Sequence, residues 1–240
     1  DNAKGSARVL MGIINDILDF SKLQAGQFQL EHKDFPLLQT LEDCCTLLAK
    51  SAHDKGLHLY GDLDVGETDW VRSDPLRVRQ IVLNLLGNAI KFTEQGHVLL
   101  WAQWRTVDGS TSLHLRVQDS GIGMNPQDLE RLYTPFHQAD NSHARRYGGT
   151  GLGMSITQHL VNLLGGQLSV HSQTGQGTVF EVWLPLGTAP AHEAATPAMA
   201  ELPATTPLYV DAVNPHWRDS WHTHMRHLRQ PVSADASQPA

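Results

Sequence analysis

Asn84, Asn88 and Lys91 fall at i, i+4 and i+7 of a stretch that reads as helix up to Phe92. Residues at that spacing share one face. Asparagine is a poor helix former, so two on one face of an otherwise apolar helix need a reason. Their carboxamide oxygens suit Mg²⁺, directly or through its waters, and a lysine one turn on can pair with phosphate. The competing account is two core asparagines hydrogen-bonded to the backbone. The other chemistry-bearing stretch runs from Asp119 to Gly153. It opens with Asp119-Ser120-Gly121-Ile122-Gly123-Met124 and closes with Gly148-Gly149-Thr150-Gly151-Leu152-Gly153. Glycine lets a ligand approach main-chain N–H groups, and the second cluster leads into a helix, whose N-terminus favours anions. Between them, Thr134 to Tyr147 has few apolar residues and reads as a mobile loop carrying Arg145 and Arg146. That pair either meets phosphate or is a solvated basic pair.

These residues need a scaffold. Ser73-Asp74-Pro75 predicts the helix start: a capping side chain, then proline in the first turn. Val98 to Trp104 and Ser112 to Gln118 read as strands joined by an Asp108-Gly109 hairpin turn, the second delivering Asp119 to its C-terminal end. Pro126 to Tyr133 reads as a short helix and Thr150 to Leu164 as a longer one. Gln167 to Ser172 and Val179 to Leu184 are the last strands, with Pro185 ending the sheet. Upstream, Pro36 to Lys55 lines Leu37, Leu41, Cys44 and Leu48 along one side of a helix, and Leu57 to Leu63 alternates as a strand. Residues 1–25 read as a helix whose seam of Leu10, Ile13, Ile17 and Phe20, widened by Ile14 and Leu18, calls for a partner helix.

The 240 residues carry a net charge of −7, with 40% hydrophobic and 18% charged residues. That suffices for one sizeable core and argues against nucleic acid as a partner. Cys44 and Cys45 are adjacent, so no disulfide framework is expected. From 187 to 207 Ala, Thr and Pro dominate, as in a linker, and His222, His224 and His227 beyond it have no acidic or Cys partners converging on them.

Taken together, the residues resemble a known family. Asn84-x-x-x-Asn88-Ala89-x-Lys91-Phe92, Asp119-x-Gly121-x-Gly123, Pro135-Phe136, Gly149-x-Gly151-x-Gly153 and Gly175-x-Gly177-Thr178-x-Phe180 are similar, in order, to the five boxes of the sensor histidine kinase catalytic domain. Asp16 to Leu23 resembles the end of the second dimerisation helix of hybrid sensor kinases. The resemblance covers roughly residues 1–186 and implies an α+β fold. This would be a two-layer α/β sandwich, a mixed sheet packed on three helices in the Bergerat-type ATP-binding arrangement, preceded by a dimerisation helix. It implies residues 1–27 as part of the dimerisation domain, 28–186 as the catalytic domain, 187–207 as linker and 208–240 as a truncated receiver-like start or tail.

The resemblance implies ATP and Mg²⁺ as cofactors. Asp119 would accept a hydrogen bond from the adenine amino group, and Gly121 and Gly123 would leave room for the base. Asn84 and Asn88 would hold the metal. Lys91 and Arg145 or Arg146 would neutralise phosphate charge, so that Asn84, Lys91, Arg145 and Arg146 carry catalysis. Phe136 and Tyr147 would belong to a lid. Gly149, Thr150, Gly151, Leu152 and Gly153 would clamp phosphates, and Thr178 would support the site. Chemistry of this kind is mostly positioning and charge stabilisation. In this family the phosphoacceptor histidine lies in the first dimerisation helix, upstream of Gly26, and no His precedes His32. The implied activity is therefore protein-histidine kinase, acting on a histidine outside these residues. Expected partners are a second copy through the N-terminal helix and a response regulator or receiver domain. The catalytic domain would be cytoplasmic, with any anchoring in the bacterial inner membrane left to segments beyond these residues. The related alternatives are a degenerate regulatory module and a gyrase- or chaperone-like ATPase. The latter is disfavoured because Leu83 precedes Asn84 where those enzymes carry a hydrolytic Glu.

Overall fold

A computed structural model describes residues 10–12, 14, 17–23, 25–65, 70–107, 109–137 and 150–189, all within the first of two compact units, Asp1–Ala191. The second unit, His192–Ala240, lies outside the described residues, and with it most of the expected linker and the histidine-rich tail.

Alternating side chains build the principal sheet. Strands β2 (His58–Asp64), β4 (His97–Val107), β5 (Ser110–Asp119), β7 (Gly177–Leu184) and β6 (Gln167–Gln173) lie in the order β2-β4-β5-β7-β6. β2 runs parallel to β4 and the other pairs are antiparallel. The inward set of Val98, Leu100, Ala102, Leu113, Leu115, Val117, Phe180, Val182 and Leu184 is buried. Three helices cover that face: α1 (Leu37–Asp54), α2 (Pro75–Phe92) and α4 (Gly153–Leu163); α3 (Pro126–Arg131) is short and has no buried residues. The expected mixed-sheet α/β sandwich on three helices is the observed fold.

A second sheet, β1 (Lys33–Pro36), β3 (Trp70–Ser73) and β8 (Gly187–Thr188), has the order β1-β3-β8. None of the three is legible in the sequence. Strands of two to four residues carry too little alternation to read, and they exist because of their pairing. Gly187 and Thr188, expected to open the linker, instead pair with Arg72 and Val71.

The start of α2 is fixed as its sequence dictates. Asp74 Oδ1 accepts from the N–H groups of Leu76 and Arg77, both at 3.1 Å, and Oδ2 accepts from Glu31 N at 3.0 Å. Such a cap contributes about 1 kcal/mol. The far end is held by Lys55, whose Nζ donates to the carbonyls of Ile90, Lys91 and Thr93 at 2.7, 2.9 and 3.1 Å. A cation there meets the negative end of the helix dipole.

The described residues of 10–23 are helical, and Gly26, with φ of 65°, ends the segment through Gly26 N to Leu23 O and Gln27 N to Lys22 O. Ile13, Asp16 and Gln24 lie outside the described residues. Leu23 is buried and Asp19 accepts from Gln80 at 2.9 Å, whereas Leu10, Met11, Ile14, Ile17 and Leu18 are exposed. No helix among the described residues is long and apolar enough to cross a membrane.

Candidate nucleotide site

Asp119 ends β5 between two strands, opposite Val98 on β4 and Thr178 on β7. Its carboxylate is buried, and Oδ1 accepts from Gly121 N at 2.8 Å and Thr178 N at 3.3 Å. Among the described residues Oδ2 receives no hydrogen bond. Burial pushes the carboxyl's pKa up, and the two N–H donors hold it down. The result is an acceptor held in place through one of its two oxygens.

The loop after Asp119 is locked from both sides. Ile122 N donates to Phe92 O at 3.2 Å, tying the loop to the C-terminal end of α2, and Gly175 N donates to Ile122 O at 2.7 Å. A Cβ on Gly121 would stand 2.4 Å from Phe92 O, and one on Gly123, where φ is 65°, 2.0 Å from Gln173 O. On the side where each Cβ would project, these glycines meet the protein itself. Backbone carbonyls, with Asp119 Oδ1 and Thr93 Oγ1 beside Gly121, occupy those positions, so the absence of a side chain lets the loop close here. Ser172, which the sequence reading passed over, joins the cluster. Its hydroxyl accepts from Met124 N at 2.8 Å and lies 2.9 Å from Thr178 Oγ1.

The other half is built from α2 and α4. Asn84 and Asn88 face α4: Asn84 Nδ2 donates to Thr157 Oγ1 at 2.6 Å, and Asn88 Nδ2 lies 3.4 Å from Met154 Sδ. A Cβ on Gly153 would stand 2.6 Å from Asn84 Oδ1, so any other residue here would push the Asn84 carboxamide aside. Neither Thr157 nor Met154 was singled out in the sequence. They lie about 70 residues from the asparagines and look like ordinary members of an apolar helix face. Lys91 sits on the last turn of α2, half-buried, with Nζ 4.8 Å from the Phe92 ring centre, and burial lowers its pKa. A partly desolvated cation there suits an anion.

Thr150 Oγ1 accepts from Leu152 N at 3.1 Å, just ahead of α4. Leu152, expected among the phosphate contacts, has a fully buried side chain in the core, and its N–H is already engaged by Thr150. Gly151 contributes its carbonyl, which accepts from Phe136 N at 3.1 Å. Phe136 has φ of 62°, a conformation unusual for a bulky residue, and its ring meets that of Phe20 edge-on at 5.7 Å. Arg145, Arg146, Tyr147 and Gly149 lie outside the described residues. The arrangement thus joins a buried acceptor at a strand end to a helix face of two carboxamides and a lysine, with a helix N-terminus opposite. The donor set fits a hard cation: two carboxamide oxygens, no thiolate and no imidazole.

Residues 73–188 match the family described as histidine kinase-, DNA gyrase B- and HSP90-like ATPase. The signal transduction histidine-protein kinase BarA of Escherichia coli K12 is 49% identical over 176 residues, covering 73% of this chain and 19% of that protein. The autoinducer 2 sensor kinase/phosphatase LuxQ of Vibrio cholerae is 41% identical over 181 residues, covering 75% of this chain and 21% of that protein. The chain thus spans about a fifth of the length of these relatives. Among solved structures, full-length ShkA in complex with AMPPNP superposes with a TM-score of 0.66 at 33% identity, covering 78% of this chain and 38% of that one. With its fold, its ordered sequence boxes and these relatives in agreement, the chain belongs to the histidine kinase-, DNA gyrase B- and HSP90-like ATPase family, as a catalytic ATP-binding domain of the sensor histidine kinase type.

Proposed function

We propose that this domain binds ATP and transfers its γ-phosphate to a histidine side chain carried outside these 240 residues, as part of a larger two-component sensor kinase. The observation that supports it most is Asp119. Its Oδ1 is occupied by two backbone donors, while Oδ2 is left to accept from an exocyclic amino group such as that of adenine. Thr178 borders the same place, and Ser172 orients it.

The Asn84–Asn88–Lys91 face of α2, the helix that ends at Phe92, would take the phosphates. Asn84 and Asn88 would hold Mg²⁺ through their oxygens, and the cation would neutralise charge on the phosphate oxygens. Lys91 adds a second positive charge, and the first turn of α4 offers its main-chain N–H groups to the phosphates. Arg145, Arg146, Tyr147, Gly149 and Phe136 complete this reading as loop residues. The exposed apolar stripe Leu10, Met11, Ile14, Ile17 and Leu18 suits a helix bundle formed with a second copy. A receiver domain or response regulator would take the phosphoryl group from the histidine. A site working on ATP belongs on the cytoplasmic side, with any membrane anchor elsewhere in the longer protein.

The test is ATP-dependent phosphorylation. This chain should not label itself, yet should label a supplied dimerisation-helix segment carrying a histidine, in an acid-labile linkage. Stable phosphohistidine on this chain alone, or no labelling of the supplied segment, would overturn the reading.

A further inference from the structure

A carboxamide has an oxygen end and a nitrogen end of nearly equal size, and only the oxygen can hold a cation. A helix that uses asparagines as cation-holding groups therefore needs something to decide which end faces the ligand. On the reading of Asn84 and Asn88 given above, we infer that Thr157 and Met154 on α4 are positioning residues that turn the oxygen ends of both asparagines toward the nucleotide.

The Asn84 carboxamide lies along the start of α4. Its Oδ1 is against Gly153, the first residue of the helix, and its Nδ2 reaches one turn deeper to Thr157 Oγ1, 2.6 Å away. Thr157 is 1% exposed, so the nitrogen end points into the protein and the oxygen end toward the helix mouth. The reversed amide would set a partly positive NH₂ at the positive end of the helix dipole, which is unfavourable. A hydroxyl can donate or accept, so Thr157 alone does not fix the choice. The Met154 thioether removes the ambiguity, because sulfur accepts and cannot donate. It lies 3.4 Å from Asn88 Nδ2 and 4.0 Å from Asn84 Nδ2. Both nitrogen ends are thus drawn to one acceptor ledge on α4. Groups behind a metal's direct ligands that orient them typically change metal affinity by about 10- to 100-fold when removed.

The experiment measures the affinity of this chain for a fluorescent ATP analogue, once with Mg²⁺ and once in EDTA. Thr157→Val keeps the shape and removes the hydroxyl. It should cut the Mg²⁺-dependent gain in affinity about tenfold, with EDTA binding unchanged within error, and Thr157→Ser should restore the gain. A hydroxyl serving only the packing would lower both affinities alike. Should Thr157→Val lose its melting transition, Met154→Leu decides: a smaller Mg²⁺-dependent gain supports the inference, an unchanged one overturns it. Asn84→Ala is run in parallel. If it loses the gain while Thr157→Val keeps it, the positioning role is wrong. If Asn84→Ala itself keeps the gain, the assignment of Asn84 to the cation is wrong, and the inference falls with it.

Discussion

The two ends of the nucleotide site are built on different principles. At the Asp119 end, main-chain groups do most of the holding: the N–H groups of Gly121 and Thr178 fix the carboxylate, Ile122 O accepts from Gly175 N, and Phe92 O and Gln173 O are packed where side chains on Gly121 and Gly123 would otherwise go. At the Asn84–Asn88 end, side chains hold side chains across two helices, through one short hydrogen bond and two thioether contacts. A backbone-built pocket changes little when neighbouring side chains vary, and it suits selection of a base. A side-chain-built ledge depends on how α4 packs against α2, so on the proposed reading a shift of α4 would be felt at the cation.

The sharpest way to break this contrast is at its rigid end. Asp119→Ala removes the buried acceptor, and ATP affinity should fall by about one to two orders of magnitude, since a charged hydrogen bond contributes about 1.5–3 kcal/mol and 1.4 kcal/mol is tenfold. Wild-type-like binding by titration calorimetry would remove Asp119 from the site. At the other end, Asn88→Ala should lower Mg²⁺-supported affinity by about tenfold or more while barely moving affinity in EDTA. Equal losses in both buffers would erase the distinction between the two ends. A smaller effect is expected between them. Lys55→Met leaves three carbonyls at the end of α2 without their cation and should cost about 1–2 kcal/mol in urea unfolding. Because Phe92 O also anchors the loop after Asp119, weaker nucleotide binding in both buffers should accompany it.

The smallest effect lies on the opposite face of the sheet and serves as a control for both ends. His114 is buried there, stacked on Trp183 at 3.9 Å and edge-on to Trp101 at 5.1 Å, with Glu181 3.4 Å away and Arg116 and Arg105 nearby. Burial lowers its pKa, Arg116 and Arg105 acting the same way against the opposing pull of Glu181. The unfolded chain therefore binds a proton at this residue, near the usual value of about 6.5, before the folded one does. Stability should fall as pH drops through that value and level off below the folded pKa. Thermal melting of His114→Phe should show a shallower pH slope between about pH 7.5 and 5, with nucleotide affinity unchanged. An unaltered slope would show that His114 titrates normally.

The contrast also explains what could be read in advance. The shared face of Asn84, Asn88 and Lys91 follows from helical spacing alone, and the Asp74 cap and the long alternating strands are local patterns of the same kind. The five ordered boxes carried the nucleotide assignment. The partners of those residues were not readable. Thr157 and Met154 owe their role to α4 crossing α2, Ser172 to its register with Thr178, and Lys55 to where the end of α1 falls.

By itself, then, the sequence determined which residue types share a face and which strand end carries the carboxylate, because periodicity and turn chemistry are local. Only the tertiary structure decided which oxygen of Asp119 takes the two backbone donors, that Asn84 meets Thr157, and that Phe92 O and Gln173 O lie where side chains on Gly121 and Gly123 would go. It also decided that the strands Lys33–Pro36, Trp70–Ser73 and Gly187–Thr188 exist at all. Each of these depends on contacts between residues far apart in the chain, whose hydrogen bonds form only once the elements have packed.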